Sequence, residues 1–305
     1  MTLYLGVTDN DWFRYLSARE PEEVNFWQPS GGRRFRALEP GGLFLFKLKA
    51  PANAIGGGGF FVRHARLDAH TAWETFGVKN GAPDYWSFLE RLQRLRRGAN
   101  VSPNPEIGCI VLAQPFFLTE SEWISLPRDW APQIVSGKGY DTSGGEGHRL
   151  WEAVQGRLAA RMPKPGVVAE EPARYGERVV RQRLGQGAFR LLVTEAYDRR
   201  CAFTGERTLP ALQAAHIKPY AASGPHRVQN GLLLRADLHQ LFDSGYLTVD
   251  PARLAIEVSG RIREEFENGR DYYALHGRSL RRPDNAMDAP DAAFLRYHSD
   301  KVFRP

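Results

Sequence analysis

The stretch QAAHIKPYAASGPHRVQNGLLLRADLHQLFDSGYLTV, residues 213–249, decides the fold of the second half of the chain. Its apolar runs AAHI and LLLR have the length and composition of short strands, and a loop with Gly and Pro separates them. ADLHQLFD has helical spacing and ends just before Gly245, a residue type that often terminates helices. YLTV then reads as a further strand. The predicted order is strand, long loop, strand, helix and strand.

Polar residues recur along this stretch at spacings that suggest a site. Asn230 lies fourteen positions after His216, His239 nine after that, and Asp243 four further on. His239 and Asp243 project from one helix face, as two ligands of one ion must. Histidine titrates near neutrality, so His216 is suited to take a proton from water. The combination favours hydrolysis beside a metal ion bound through nitrogen and oxygen ligands.

Several of these residues also have ordinary explanations. Asn230 precedes a glycine and could simply be a turn residue. Asp237 stands at the start of the predicted helix, so we expect it to be an N-terminal cap and not a ligand. The loop carries basic side chains that would either contact a phosphate backbone or be solvated: Lys218, His226 and Arg227.

The stretch resembles the HNH endonuclease family, through His216 in AAHI, Asn230 in VQNGLLL and His239 in ADLHQLFD. The resemblance implies a ββα-metal fold around one divalent ion, Mg²⁺ or Mn²⁺, and double-stranded DNA as the substrate. In that family the first His is the general base, the Asn braces the loop and orients the base, and the last His binds the metal. Those roles would fall on His216, Asn230 and His239, with Asp243 as a second ligand.

Two departures from the family pattern affect its metal sites. Many members have an Asp or His directly before the first catalytic His, whereas this chain has Ala215. The ligand set would then depend on Asp243, Gln213 and water. Many members also hold the fold with paired cysteine knuckles, but CAFTG has Thr204 where the second Cys would stand. We therefore expect no structural zinc.

Composition indicates two domains. The chain has 305 residues, 42% of them hydrophobic, which is enough for two separate cores. All seven tryptophans precede residue 152, and a proline-rich stretch without helical or strand periodicity follows at 160–175. We predict an N-terminal domain at 1–160, a linker at 161–175 and a nuclease domain at 176–305.

The N-terminal domain is predicted to be strand-rich. GLFLFKLKA (42–50) alternates to give one fully apolar face and one nearly so, and GGFFVRHARL (58–67) and IGCIVLAQPFFL (107–118) are further strands. PDYWSFLERLQRLRR (83–97) has helical spacing. Glycines 56–59 are expected to join two strands, and they would either let the backbone pass close to a partner or form a flexible turn. The expected class is α+β, a small barrel followed by the ββα-metal domain.

This N-terminal domain looks like the SRA and PUA-like modules that precede HNH domains in modification-dependent restriction enzymes. The resemblance implies a reader that holds a flipped, modified base such as 5-methylcytosine between aromatic rings. FWQPSGGRRFR (26–36) supplies candidates for DNA contact, namely Trp27, Arg33 and Arg34. Core packing is the alternative for any one aromatic residue.

Charge and hydropathy exclude some classes of protein. The formal net charge of +6 is a modest basic excess that suits a partner rich in phosphates. The first residues lack the pattern of a signal peptide, and no run of 18 apolar residues is present, so a cytoplasmic location without a membrane span is expected. Cutting both strands would require two copies, which makes a homodimer an open expectation. Two rivals also stay open: an HNH nuclease without modified-base specificity, and a DNA-binding protein with a degenerate nuclease module.

Overall fold

The computed structural model describes residues 2–31, 34–96, 102–161 and 185–305, with side chains omitted at 159–161. The chain divides into two compact units, Met1–Ala188 and Phe189–Pro305. Beyond Arg161 the predicted linker lies outside the described residues, so the predicted domain limits stay predictions. Within the described ranges, the helices are too short or too polar to cross a membrane.

Within its described residues the first unit is built on one mixed sheet. The strands are β1 (Thr2–Thr8), β2 (Glu23–Gln28), β3 (Leu43–Leu48), β4 (Ala54–Asp68), β5 (Glu106–Phe117), β6 (Ile124–Ser125) and β7 (Gly137–Asp141). Their order is β2-β5-β4-β3-β1-β7, and β6 pairs with β4. The β1–β3 pair is parallel, and the remaining pairs of this sheet are antiparallel.

Strand β3 forms the centre of an aromatic core. All six of its residues are buried, as the near-continuous apolar pattern of LFLFKL predicts. Phe44 and Phe46 are fully buried, and their rings contact Phe26 at centroid distances of 4.7 and 6.3 Å. Lys47 satisfies its ammonium group by donating to Asn53 Oδ1 at 3.2 Å. Aromatic packing of this kind holds the sheet together.

Glycines 56–59 lie inside the long strand β4, so the prediction that they join two strands is wrong, as is the alternative of a flexible turn. A Cβ atom on Gly57 would lie 2.1 Å from the carbonyl oxygen of Phe116, and one on Gly58 would lie 2.6 Å from that of Phe44. The glycines therefore allow neighbouring strands to approach closely. A glycine run in the sequence does not distinguish this use from a turn.

Four helices are described in the first unit: α1 (Asn10–Ser17), α2 (Ala69–Phe76), α3 (Tyr85–Leu95) and α4 (Gly145–Arg161). The first three begin after an aspartate whose side chain accepts hydrogen bonds from first-turn amides, namely Asp9, Asp68 and Asp84. Helix α3 confirms the predicted helix over Tyr85–Leu95, residue 97 lying outside the described residues, and it buries Phe88 and Leu92 completely.

The C-terminal part of the chain has the predicted order of elements. Its elements are α5 (Gln186–Ala196), β8 (Leu212–His216), β9 (Gly231–Arg235), α6 (Ala236–Asp243), β10 (Leu247–Val249), β11 (Ile256–Val258), α7 (Arg261–Phe266), α8 (Arg270–Tyr273) and α9 (Ala292–Lys301). Strands β8 and β9 form an antiparallel hairpin, and β10 and β11 form another. Gly245 follows α6 with a φ of +79°, as expected of a residue that ends a helix. The α+β class is confirmed.

Burial along the hairpin leaves His216 more open than its neighbours in the chain. Leu232, Leu233 and Leu234 on β9 are fully buried, as are Ala215 and Ile217. His216 lies between those two residues, so its side chain leaves the strand on the opposite face and is only half-buried. The hairpin thus presents one imidazole on a surface supported by a packed leucine core.

Asp237 does not occupy the predicted cap position of α6, which Arg235 holds without a side-chain capping hydrogen bond. Asp237 lies in the first turn instead, where the backbone amide of Leu238 interacts with its carboxylate. The Arg235 guanidinium donates to both carboxylate oxygens of Asp237, at 2.8 and 2.6 Å. This bidentate pair holds the carboxylate and lowers its pKa. Asp237 therefore supports the strand–helix junction through Arg235.

Candidate active site

The hairpin and helix α6 bring the predicted residues into one neighbourhood. His216 is the last residue of β8 and lies opposite Gly231, the first residue of β9. Helix α6 follows β9 directly and carries His239 and Asp243 one turn apart. The charges of His239 and Asp243 both affect the pKa of His216, so the three groups lie within electrostatic range of one another.

His216 is held in a position suited to a neutral base. Its ring stacks on Phe189 with a centroid distance of 4.0 Å and an interplanar angle of 11°. Burial, followed by the neighbouring His226, lowers the pKa of His216 to about 4, while Asp243 opposes the shift and His239 adds to it. Nearly all of the imidazole is therefore unprotonated at pH 7 and has a lone pair available to accept a proton.

Asn230 closes the loop that separates the two strands. Its side chain is fully buried and makes three hydrogen bonds. The amide of Lys218 donates to Asn230 Oδ1 at 2.8 Å, and Asn230 Nδ2 donates to the carbonyl oxygens of Lys218 and Pro225 at 3.0 Å each. Asn230 therefore does more than form a turn, because it ties both ends of the loop to the hairpin.

Three polar groups converge on the exposed side of α6. His239 Nε2 lies 3.1 Å from Asp243 Oδ2, and His239 Nδ1 lies 2.8 Å from Gln213 Oε1 on strand β8. Among the described residues, no group of three or more His, Cys, Asp or Glu side chains is placed to hold a metal ion. The available donors are thus an imidazole, a carboxylate and an amide oxygen.

One nitrogen and two oxygen donors would accept Mg²⁺, Mn²⁺ or a transition metal, with water completing the coordination. The Asp243 side chain is 56% exposed, so solvent reaches the carboxylate oxygens that would bind such an ion. Ala215, at the position where many HNH proteins supply a ligand, is fully buried and offers no donor. Gln213, two residues before Ala215 on the same strand, places its Oε1 2.8 Å from His239 Nδ1.

The basic residues of the loop have different environments. Arg227 is exposed, whereas Lys218 is half-buried and its ammonium lies 4.9 Å from the ring centroid of Tyr297. His226 turns toward the site, with its Nδ1 2.9 Å from His216 Nε2. Arg227 is therefore the member of this set that is most accessible to a phosphate.

A separate cavity of ≈ 510 Å³ opens in the first unit. Phe26 and Trp27 form part of its wall, together with the polar side chains of Asp9, Gln28 and Lys49. Trp27 is 8% exposed and donates its indole N–H to the carbonyl oxygen of Asn80 at 2.8 Å. Its ring is thus a fixed wall as well as part of the core.

Of the two arginines predicted to contact DNA, Arg34 is exposed and does not line the cavity, and Arg33 lies outside the described residues. The polar lining residues Gln28 and Asp9 carry no motif that would have singled them out in the sequence. The stacking of Phe189 on His216 was also missed, because those two residues are 27 positions apart in the sequence.

Comparisons with known proteins agree with the HNH resemblance. Residues 201–250 match the family described as HNH endonuclease, which confirms the resemblance predicted from His216, Asn230 and His239. No curated protein matches the chain.

Solved structures are similar at low TM-scores. ASCH from Zymomonas mobilis is 12% identical over 49% of this chain and 94% of its own, with a TM-score of 0.34. A structure titled modification dependent TagI restriction endonuclease is 15% identical over 92% of this chain and 75% of its own, with a TM-score of 0.29.

Proposed function

We propose, from the HNH endonuclease region at residues 201–250, that the chain cleaves double-stranded DNA in a reaction that requires one divalent cation. The observation that carries this proposal is the placement of a neutral imidazole, His216, beside the histidine–carboxylate pair of α6. Hydrolysis of a phosphodiester needs a base for the attacking water and positive charge beside the phosphate. His216 would supply the base, and a cation bound by the histidine–carboxylate pair of α6 would supply the positive charge.

His216 is proposed to act as the general base. A water molecule would transfer a proton to its imidazole while the water oxygen forms a bond to phosphorus and the bond to the leaving oxygen breaks. Its low pKa keeps the ring unprotonated before the reaction. Stacking on Phe189 restricts the direction in which the lone pair points. Asn230 supports this arrangement by holding the loop to the end of strand β8.

His239 and Asp243 are proposed to hold the divalent ion, with Gln213 and water completing the set. Mg²⁺ or Mn²⁺ at this position would neutralise charge that develops on the phosphate and on the leaving oxygen. Both ligands lie on one helix turn, and Gln213 approaches from the adjacent strand. Exposed Arg227 would add an electrostatic contact to the phosphate backbone that carries no sequence information.

For the first unit we propose recognition of a modified base, with 5-methylcytosine as the expected form. The supporting observation is the cavity beside Phe26 and Trp27, because a flipped base can stack on an aromatic wall. Gln28 offers both a hydrogen-bond donor and an acceptor at that wall, which suits the polar edge of a base. The reader would lie within residues 1–160 and the nuclease within 176–305. Double-strand cleavage would use two copies of the chain.

Cleavage of one plasmid, prepared unmodified and cytosine-methylated, tests both proposals. We expect cutting of the methylated form with Mg²⁺ or Mn²⁺, no cutting with EDTA, and loss of cutting in His216→Ala. Gln28→Ala should weaken binding of a methylated duplex but leave the metal affinity unchanged. Equal cutting of both plasmids would overturn the proposed reader and retain the nuclease. Binding without cutting under every metal condition would instead indicate a DNA-binding protein.

A further inference from the structure

We propose that His226 is a positioning residue for the general base. In this arrangement His226 Nδ1 accepts a hydrogen bond from the Nε2–H of His216, which leaves Nδ1 of His216 as the basic nitrogen. The inference rests on the proposed role of His216 and names a group that determines which of its nitrogens reacts. His226 was otherwise predicted only to contact the phosphate backbone or to be solvated.

The contact between the two rings requires one hydrogen between the two facing nitrogens. His216 Nε2 and His226 Nδ1 are 2.9 Å apart, a hydrogen-bond distance. The ring planes are inclined by 54° with centroids 4.9 Å apart, so the rings meet through their nitrogens and are not stacked. A neutral imidazole has one donor and one acceptor nitrogen. If His216 donates through Nε2, its lone pair lies on Nδ1 and can accept a proton from water.

His226 is held in place by contacts on two sides. Its ring stacks on Tyr220 with a centroid distance of 4.5 Å and an interplanar angle of 14°, and it also packs 5.6 Å from the ring of Phe189. Asn230 Nδ2 donates to the carbonyl oxygen of Pro225, the residue directly before His226. The buried Asn230 therefore positions His216 indirectly, since it fixes the loop that carries His226.

In the proposed pair His226 orients His216 through a hydrogen bond, as the third member of a hydrolytic triad orients its histidine base. When water gives a proton to Nδ1 of His216, that ring becomes an imidazolium whose Nε2–H is already bonded to a neutral acceptor. The acceptor stabilises the new charge and prevents rotation of the ring. The proton later leaves Nδ1 for solvent, which returns His216 to its starting tautomer.

Two substitutions separate hydrogen bonding from packing. His226→Phe retains an aromatic ring against Tyr220 and Phe189 but removes the acceptor. His226→Asn places an amide oxygen close to the position of the imidazole Nδ1 and retains an acceptor. We expect His226→Phe to lower kcat about 10- to 100-fold with KM little changed, the range typical of groups that orient a functional histidine. His226→Asn should stay within roughly fivefold of the parent, since the hydrogen bond is kept.

Nuclear magnetic resonance of ¹⁵N-labelled histidine gives a readout that does not depend on cleavage. The signals of His216, assigned by their loss in His216→Gln, should show hydrogen on Nε2 in the parent and in His226→Asn. In His226→Phe the two tautomers should interconvert. Hydrogen on Nδ1 of His216 in the parent, or full activity in His226→Phe, would overturn the inference. A parent that shows the Nε2–H tautomer but cuts no DNA would support the positioning contact while the proposed function fails.

Discussion

Replacement of Asn230 by alanine should loosen the loop that carries His226 and thereby impair His216. The substitution removes three hydrogen bonds from a fully buried side chain. A hydrogen bond in a protein contributes about 1 kcal/mol net, and a buried partner left unsatisfied costs on the order of 1–3 kcal/mol. We therefore expect Asn230→Ala to lower the free energy of unfolding of the second unit by about 3 kcal/mol.

Hydrogen exchange can locate that loss within the loop. The Lys218 amide donates to the side-chain oxygen of Asn230, whereas the Ile217 amide donates to its backbone oxygen. In Asn230→Ala the Lys218 amide should lose at least about tenfold in protection, since 1.4 kcal/mol corresponds to a factor of ten. Asn230→Asp keeps an acceptor for Lys218 but loses both donors. It should therefore protect that amide better than alanine does, although the loop is still destabilised.

A neighbouring amide provides a matched control. Gln229 donates one exposed hydrogen bond, to the carbonyl oxygen of Met287, and makes no contribution to the loop closure described above. Gln229→Ala should change unfolding by at most about 1 kcal/mol and leave cleavage unaltered. Unchanged Lys218 protection in Asn230→Ala, together with unchanged cleavage, would refute the reasoning that Asn230 braces the base.

Three other substitutions test the metal ligand, a buried histidine and the glycine strand. Asp243→Asn should weaken Mn²⁺ binding by about tenfold or more, because a charged ligand becomes neutral. Calorimetric titration would measure the affinity, and an unchanged value would exclude this carboxylate as a ligand. His298 is fully buried against Phe242, and burial lowers its pKa to about 4 from an ordinary 6.5. Above pH 6.5 the neutral His298 costs the folded state nothing, and stability is lost as the pH falls from 6.5 toward 4 because the unfolded chain takes up a proton first. This loss reaches about 2 kcal/mol of unfolding free energy by pH 5. His298→Asn should therefore make urea unfolding less dependent on pH, and an unaltered dependence would show that His298 does not cause it. Gly58→Ala should destabilise the first unit by more than about 1 kcal/mol, because the new Cβ would press on the backbone of Phe44. Unfolding followed by tryptophan fluorescence would measure this, and a variant as stable as the parent would show that β3 and β4 can move apart.

The hairpin and helix of the nuclease region were predictable because local sequence determines them. Short apolar runs, a terminating glycine and polar residues at fixed spacing define β8, β9 and α6 without reference to distant residues. The same spacing indicated that His239 and Asp243 share a helix face, and their side chains are 3.1 Å apart. Family resemblance then predicted the HNH match.

Contacts between residues remote in sequence could not be predicted in this way. Phe189 stacks on His216 from a helix that precedes the hairpin, and nothing in its own surroundings indicates that contact. His226 could equally have faced solvent, since a loop histidine follows no periodic pattern. For glycines 56–59 the sequence left a turn and a close approach of the backbone both open, because a glycine run has the same composition in a turn as in tightly packed strands. Asp237 lies two positions beyond the cap because the helix begins at Ala236, directly after Arg235.

The most direct test of the central claim is the single-turnover rate at which the parent and His216→Ala cleave a methylated duplex at saturating Mg²⁺ or Mn²⁺. Loss of the general base should slow cleavage by about 10²- to 10⁴-fold without weakening metal or DNA binding. His239→Ala should instead need a higher metal concentration for cleavage than the parent, because it removes a proposed ligand. A His216→Ala variant that cleaves at the parental rate would contradict the account, because another group would then activate the water.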